Sequence, residues 1–246
     1  MRPNGASRKA GVAAGAGPAA VLEALAATIV RCRRCPRLRA YCRTVARVRR
    51  RAYRDQIYWG RPVPGFGDPQ ARVLVVGLAP GAHGANRTGR MFTGDGAGAT
   101  LMRALHAAGF ATQPTSVARD DGLRLQDLWL TAAVRCAPPD NRPTPEEVAR
   151  CRDYLRTELV TLPRLRVVVA LGRLAHDAVL AAAQAAGVTV PRPRPAFAHG
   201  AEAALRWGTR ALTLLDTYHP SRQNTQTGRL TLEMLVGVFR RARALC

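Results

Sequence analysis

At 246 residues the chain can bury one substantial core, and a single α/β domain of about 200 residues plus a loose end fits that length. Its 38 Lys and Arg against 16 Asp and Glu leave a net charge of +22, read as spread along the chain, which favours a polyanionic partner by counterion release. Nucleic acid is expected rather than a membrane surface, because no basic amphipathic helix with large apolar residues is evident. Lys9 is the one lysine; a bias toward arginine explains the type of base but not its excess.

No apolar run reaches the roughly eighteen residues of a membrane span, and Pro18 and Glu23 interrupt the stretch from Ala10 to Val30. A cytoplasmic protein is expected. Six cysteines without a secretory signal argue against a disulfide framework and for reduced thiols able to bind metal.

Residues 1–18 are rich in Gly, Ala, Pro and basic side chains, lack periodicity and are expected to form a disordered tail ahead of one domain over 19–246. From Ala19 apolar residues recur at helical spacing, so a helix should deliver Cys32 at its end. Four β-branched or apolar runs, Arg72 to Gly77, Leu128 to Val134, Val167 to Leu171 and Ala211 to Thr217, suit strands buried on both faces. Helical patterns at Gly98 to Ala108, Pro145 to Leu159 and Leu174 to Ala186 separate them, the second opened by Thr144-Pro145-Glu146-Glu147, an N-cap, a first-position proline and acids in the first turn. This alternation predicts a parallel sheet with helices on both faces. Ligands bind beyond the carboxyl ends of such strands.

Beyond the first strand, Gly77 to Gly96 holds six glycines in twenty residues, which lets backbone amides approach a ligand closely. No Gly-Lys-Ser/Thr follows, so a nucleotide triphosphatase is excluded. The same segment supplies an aromatic face (Phe92), a carboxylate (Asp95), an amide (Asn86) and two cations. Beyond the last strand, Tyr218-His219-Pro220-Ser221-Arg222-Gln223-Asn224 sets a histidine at a strand end, with Ser221, Arg222, Gln223 and Asn224 suited to touching a phosphate backbone. Cys32-x2-Cys35 and, a hundred residues on, Cys136-x14-Cys151 supply four thiols, the first pair among Arg31, Arg33, Arg34 and Arg37. The spacing alone does not separate zinc from an iron–sulfur cluster.

The strings GLAPGAHGANRTGRMFTGDG, LTAAVRCAPPDNRPTPEE and YHPSRQNTQTGRL, with PVPGFGDP ahead of the first strand, closely resemble family 5 of the uracil-DNA glycosylase superfamily, the UDGb type, over about residues 30–242. The resemblance implies a three-layer α/β/α sandwich with a four-stranded parallel sheet. It also implies a [4Fe-4S] cluster on Cys32, Cys35, Cys136 and Cys151, with Cys42 and Cys246 left as free thiols. Uracil-containing DNA is the implied partner of a monomeric, monofunctional enzyme that leaves an abasic site.

By the same resemblance Phe92 stacks on a flipped base, amides of the loop Gly77, Leu78, Ala79, Pro80 and Gly81 cradle it, and His219 supports its leaving oxygen. Related families carry an acidic or amide residue where Leu78 and Ala79 stand, which leaves Asp95 to orient the attacking water; its alternative is to cap the helix beginning near Gly96. Family 4 carries an asparagine for uracil where this chain has Ala132. Loss of that test should admit hypoxanthine, xanthine, ethenocytosine and modified uracils. Two other readings remain at this stage: a non-catalytic DNA-binding protein that keeps the fold, and a glycosylase that links covalently to DNA, whose basic insertion before the last motif is not found here.

Overall fold

The computed structural model describes residues 16–246. Helix α1 (Pro18–Val30) opens on a proline, whose missing N–H costs nothing in a first turn, and delivers Cys32 just past its C-cap, Arg31. The expected tail therefore cedes Pro18 to the helix, and its residues 1–15 lie outside the described residues. Helix α2 (Pro36–Val48) was not foreseen, because its four arginines break the apolar pattern; Leu38 and Cys42, four apart, are its buried stripe.

Strands β1 (Phe66–Gly67), β2 (Val73–Gly77) and β3 (Leu128–Ala132) are interleaved with α3 (Ala85–Thr88) and α4 (Gly96–Ala107). Then follow α5 (Pro145–Thr161), β4 (Val167–Leu171), α6 (Arg173–Ala185), β5 (Glu202–Trp207), β6 (Arg210–Thr217), α7 (Arg222–Gln226) and α8 (Leu232–Ala244). The capping box expected at Thr144 forms, with Thr144 and Glu147 exchanging side-chain and backbone bonds.

The sheet runs β1-β3-β2-β4-β6-β5. The four expected strands are its parallel interior, and antiparallel β1 and β5 extend it to six. Strand β5 escapes sequence reading because its outward residues are charged or small, and the hairpin turn at Gly208, with φ of 60°, is what folds it back on β6. Alternate side chains of the interior strands feed two cores. Val73, Val75, Leu130 and Val169 pack under α4 and α8, while Leu74, Val76, Val168 and Leu214 pack under α1, α5 and α6. That is the expected α/β/α sandwich.

A third, smaller core joins Ile29, Leu38, Cys42, Val134 and Tyr154 around the cysteines. Two buried polar pairs brace the layers. Arg135, at the end of β3, holds Glu158 of α5 at 2.5 Å, and Glu158 also accepts from Trp129 and Thr131. His176 of α6 holds Asp216 of β6 at 2.8 Å and reaches the Pro195 carbonyl at 3.1 Å with its other ring nitrogen. Both partners of each pair are desolvated, so removing one would leave the other buried without its hydrogen-bond partner.

Candidate active site

The parallel strands send their carboxyl ends to one edge of the sheet, where the predicted motifs gather. Gly77 faces Ala132 across β2 and β3, and the pairing runs on past the sheet: Ala133 N–H donates to the Gly77 carbonyl and Val134 N–H to that of Leu78, both at 2.9 Å. Leu78, Ala79 and Gly81 are half-exposed here, while Pro80 and Ala132 are buried. Gly77 needs to be glycine because the Phe92 ring lies over it; a Cβ there would stand 2.6 Å from the ring. Phe92 itself takes a left-handed φ of 48°, and this turn packs so close to α4 that a Cβ on Gly98 would meet the Phe92 carbonyl at 2.2 Å. The His219 ring lies 6.0 Å from the Phe92 ring, tilted by 34°.

Asp95 turns out to be a helix cap and more. Its Oδ1 accepts the Gly98 N–H at 2.8 Å, the N-cap of α4. Its Oδ2 points the other way, into the glycine loop, where a Cβ on Gly81 or Gly84 would stand 2.7 or 1.8 Å from it. Burial pushes the carboxyl above its ordinary pKa, against the N–H groups of Gly98 and Ala97 and the charge of Arg87.

His219 shifts the opposite way. Burial pushes its imidazole down to about 4, so at neutral pH the ring is uncharged and carries one N–H to donate. Among the described residues no side-chain hydrogen bond engages the ring. Its backbone is fixed instead: the His219 carbonyl accepts from Asn224 Nδ2 and from Ser221 N–H, both at 2.8 Å. Ser221 caps α7, so Ser221 and Asn224 shape the loop while Arg222 and Gln223 are exposed.

The two cations of the glycine segment turn inward. Arg87 stacks 4.0 Å from the Tyr53 ring centre and bonds the carbonyls of His83 at 2.7 Å and Gly94 at 2.6 Å. Arg90 is buried and grips Asp121 at 2.8 Å, together with Thr93 and Ser116. Asn86 is fully buried, and its amide nitrogen reaches the carbonyls of Cys42 and Ala82 at 3.4 and 3.3 Å, so it ties α2 to the loop, while among the described residues its Oδ1 accepts from none. These braces are hidden in the sequence because the partners Ser116, Asp121 and Cys42 lie 26, 31 and 44 residues away with no pattern to betray them. The weak signal was the composition itself: two arginines inside a glycine-rich loop.

The four motif cysteines converge in the third core. Cys32 lies close enough to Cys35 to influence its charge, both influence Cys151, and Cys151 in turn influences Cys136. Burial raises the thiols of Cys35 and Cys151; at Cys32 burial also acts upward, but hydrogen bonds from Tyr154 and Arg34 outweigh it and the pKa falls. Among the described residues no three His, Cys, Asp or Glu side chains close on a single ion. A multinuclear cluster interposes its own iron and sulfide atoms, so it takes thiols spaced more widely than one tetrahedral ion does. Cys42, expected as an unattached thiol, is buried in the same core with its Sγ 3.6 Å from the Ala137 carbonyl and its thiol against that of Cys136. Cys246 is half-buried at the far end of the chain.

Comparison with known proteins agrees with this geometry. A family model described as the uracil DNA glycosylase superfamily matches residues 64–243, which span both loops of the candidate site. A type-5 uracil-DNA glycosylase of Thermus thermophilus is 53% identical over 91% of this chain and 97% of its own length, and one of Pyrobaculum aerophilum is 52% identical over 88% and 89%. A type-4 uracil-DNA glycosylase of Archaeoglobus fulgidus is more distant, 34% identical over 65% of this chain and 70% of its own. With the glycine loop, the capped aspartate and the strand-end histidine all inside the matched span, the chain belongs to the uracil-DNA glycosylase superfamily, in its type-5 branch.

Proposed function

We propose that the protein excises uracil, and beyond it hypoxanthine, xanthine and ethenocytosine, from DNA as a monomeric, monofunctional glycosylase. Breaking the N-glycosidic bond leaves positive charge on the sugar and negative charge on the base, and the base must first leave the helix stack. The observation that carries this reading is a pair of titratable groups pushed in opposite directions, Asp95 upward and His219 downward, on the two loops that meet at Phe92. Phe92 stacks on the flipped base, and the backbone of residues 77–81, in which Pro80 brings no N–H, receives its edge. His219, held neutral, donates a hydrogen bond as the base departs; a preorganised donor of this kind commonly supplies about 3 kcal/mol. Asp95 holds the attacking water with Oδ2, the oxygen not used by the cap.

Breadth follows from Ala132. This buried methyl beside Gly77 offers no hydrogen bond, so a base is not rejected for failing to complete one. Cys32, Cys35, Cys136 and Cys151 would hold a [4Fe-4S] cluster, which supplies a four-point cross-link between the segment 32–35 and the loop and helix 136–151. Nothing in the excision calls for electron transfer.

Oligonucleotides carrying each base, incubated with the protein and then treated with alkali, report abasic sites directly. Cleavage at uracil and at hypoxanthine is expected. DNA binding without abasic product from any of the bases would overturn the catalytic reading. For the cluster, iron and sulfide should accompany a brown anaerobic preparation; one zinc and no iron would reject it.

A further inference from the structure

Half of the chain's charge belongs to one stretch: residues 31–61 hold twelve arginines and a single acid, Asp55, a net of +11 out of +22. The charge spread along the chain is thus denser here than elsewhere. This stretch folds into α2 and the turn at 51–53, and it is fastened to the first catalytic loop. Trp59 and Gly60 N–H groups donate to the carbonyls of Arg87 and Asn86 at 2.8 and 3.0 Å, and the Tyr58 hydroxyl lies 3.0 Å from His83 Nδ1.

Within the stretch the arginines divide. Arg34 and Arg37 are paired with Asp153 and Glu147. Arg43, Arg47, Arg50, Arg51 and Arg54 are exposed, and among the described residues none has a carboxylate partner. The two most exposed large apolar side chains among the described residues stand between them, Ile57 at 90% and Val48 at 71% exposure. Crowded like charges destabilise a folded chain unless a counter-charge arrives, and apolar tips set among them fit a contact surface better than a solvated one. A groove of about 760 Å³ is lined by Tyr53 and Gln56 of this stretch together with Arg87, Asp95 and Gly96.

We propose that Arg43, Arg47, Arg50, Arg51 and Arg54 form a second DNA-binding surface that grips the phosphate backbone of duplex DNA flanking the excised nucleotide. The loop 218–224 then holds the strand at the nucleotide itself. Helix α2 is about 20 Å long at 1.5 Å per residue, and duplex DNA offers one charge per roughly 1.7 Å of axis, so five cations along the helix and its following turn match a run of phosphates. The inference rests on the reading of the catalytic loops only for where the flanked nucleotide lies.

The test uses the full chain with R43Q/R47Q and R50Q/R51Q/R54Q, and with R156Q and R240Q as controls on exposed faces of α5 and α8. Affinity for undamaged duplex and for single strand is measured across a salt series, beside melting temperature and single-turnover excision at saturating protein. Each lost phosphate contact should flatten the logarithmic salt slope by about 0.9, so the two variants should flatten it by about 2 and about 3 and weaken duplex binding by roughly tenfold or more. Saturated excision should stay within about twofold of wild type, since phosphate contacts position rather than react. Slopes equal to the controls' overturn the proposal, as does a loss confined to single strands. Should the wild type bind duplex with the steep slope yet excise nothing, the glycosylase reading fails while this surface stands.

Discussion

The two catalytic loops are held in different ways. Residues 77–96 are braced from within: Arg87 and Arg90 turn inward to clamp carbonyls and Asp121, and Asp95 spends one carboxylate oxygen on capping α4. The loop 218–224 is braced at its backbone, where Asn224 Nδ2 and Ser221 N–H donate to the His219 carbonyl and Tyr218 N–H donates to His199, while the His219 ring lies 6.0 Å from the Phe92 ring and among the described residues makes no side-chain hydrogen bond. On the proposed roles, a water that must attack one sugar atom needs a fixed partner, whereas a donor meant to serve bases of different shape gains from a ring free of other bonds. Under that proposal the difference assigns rigidity to the side of the attacking water and tolerance to the side of the departing base.

The contrast can be broken most severely at Asp95. Asp95→Ala should slow excision of every base by a similar factor of about 10² to 10⁴, the range of general-base contributions, because all substrates share the attacked sugar. The wild-type rate should fall in acid as Asp95 takes up a proton. Because burial raises that pKa, the fall should begin at a higher pH than an ordinary carboxyl would give, and a pH–rate profile under single turnover checks it.

His219→Ala comes next, with an expected loss of about 10² to 10³. Here the factors should differ between bases, largest for those that leave least readily as anions. Equal losses across uracil and hypoxanthine would erase the proposed distinction between the two loops.

Ala132→Asn sharpens the comparison from the side of the pocket. The added amide can pair with the edge of uracil while crowding a purine, so the ratio of uracil to hypoxanthine excision should rise by roughly tenfold. Parallel time courses on the two substrates give the ratio, and no change would remove Ala132 from the specificity account.

The smallest effect is on stability. His219 has a folded pKa of about 4, below the unfolded value near 6.5. The unfolded chain therefore binds the extra proton first, and stability should decline as pH falls from about 6.5 toward 4, with no cost above that window. His83 and His199, also pushed down by burial, add to the slope. His219→Gln should flatten it, as melts across this range would show.

Legibility in the sequence followed the range of the interactions. The four parallel strands and the helices α4, α5 and α6 were readable because buried strands declare themselves as continuous apolar runs and Thr144-Pro145 is a local signal. Helix α2 and strand β5 were not, since arginines hide the narrow apolar stripe of one and the other faces solvent. At the candidate site, Asp95, Phe92 and His219 are singled out by their place near strand ends, and the structure brings the loops that carry them together. The contacts of the Asn86 amide nitrogen to the Cys42 and Ala82 carbonyls are not legible, because backbone acceptors leave no motif. The same holds for Cys42, whose company with Cys136 depends on how α2 packs.

The central claim is that the Asp95 carboxylate does chemistry in addition to capping α4. Asp95→Ser isolates that claim, because serine is as good an N-cap as aspartate but brings no carboxylate to the glycine loop. Single-turnover uracil excision should drop by about 10² or more while the melting temperature stays near that of wild type. A near-normal rate in Asp95→Ser, with Asp95→Ala melting lower, would show that Asp95 is a cap and nothing else.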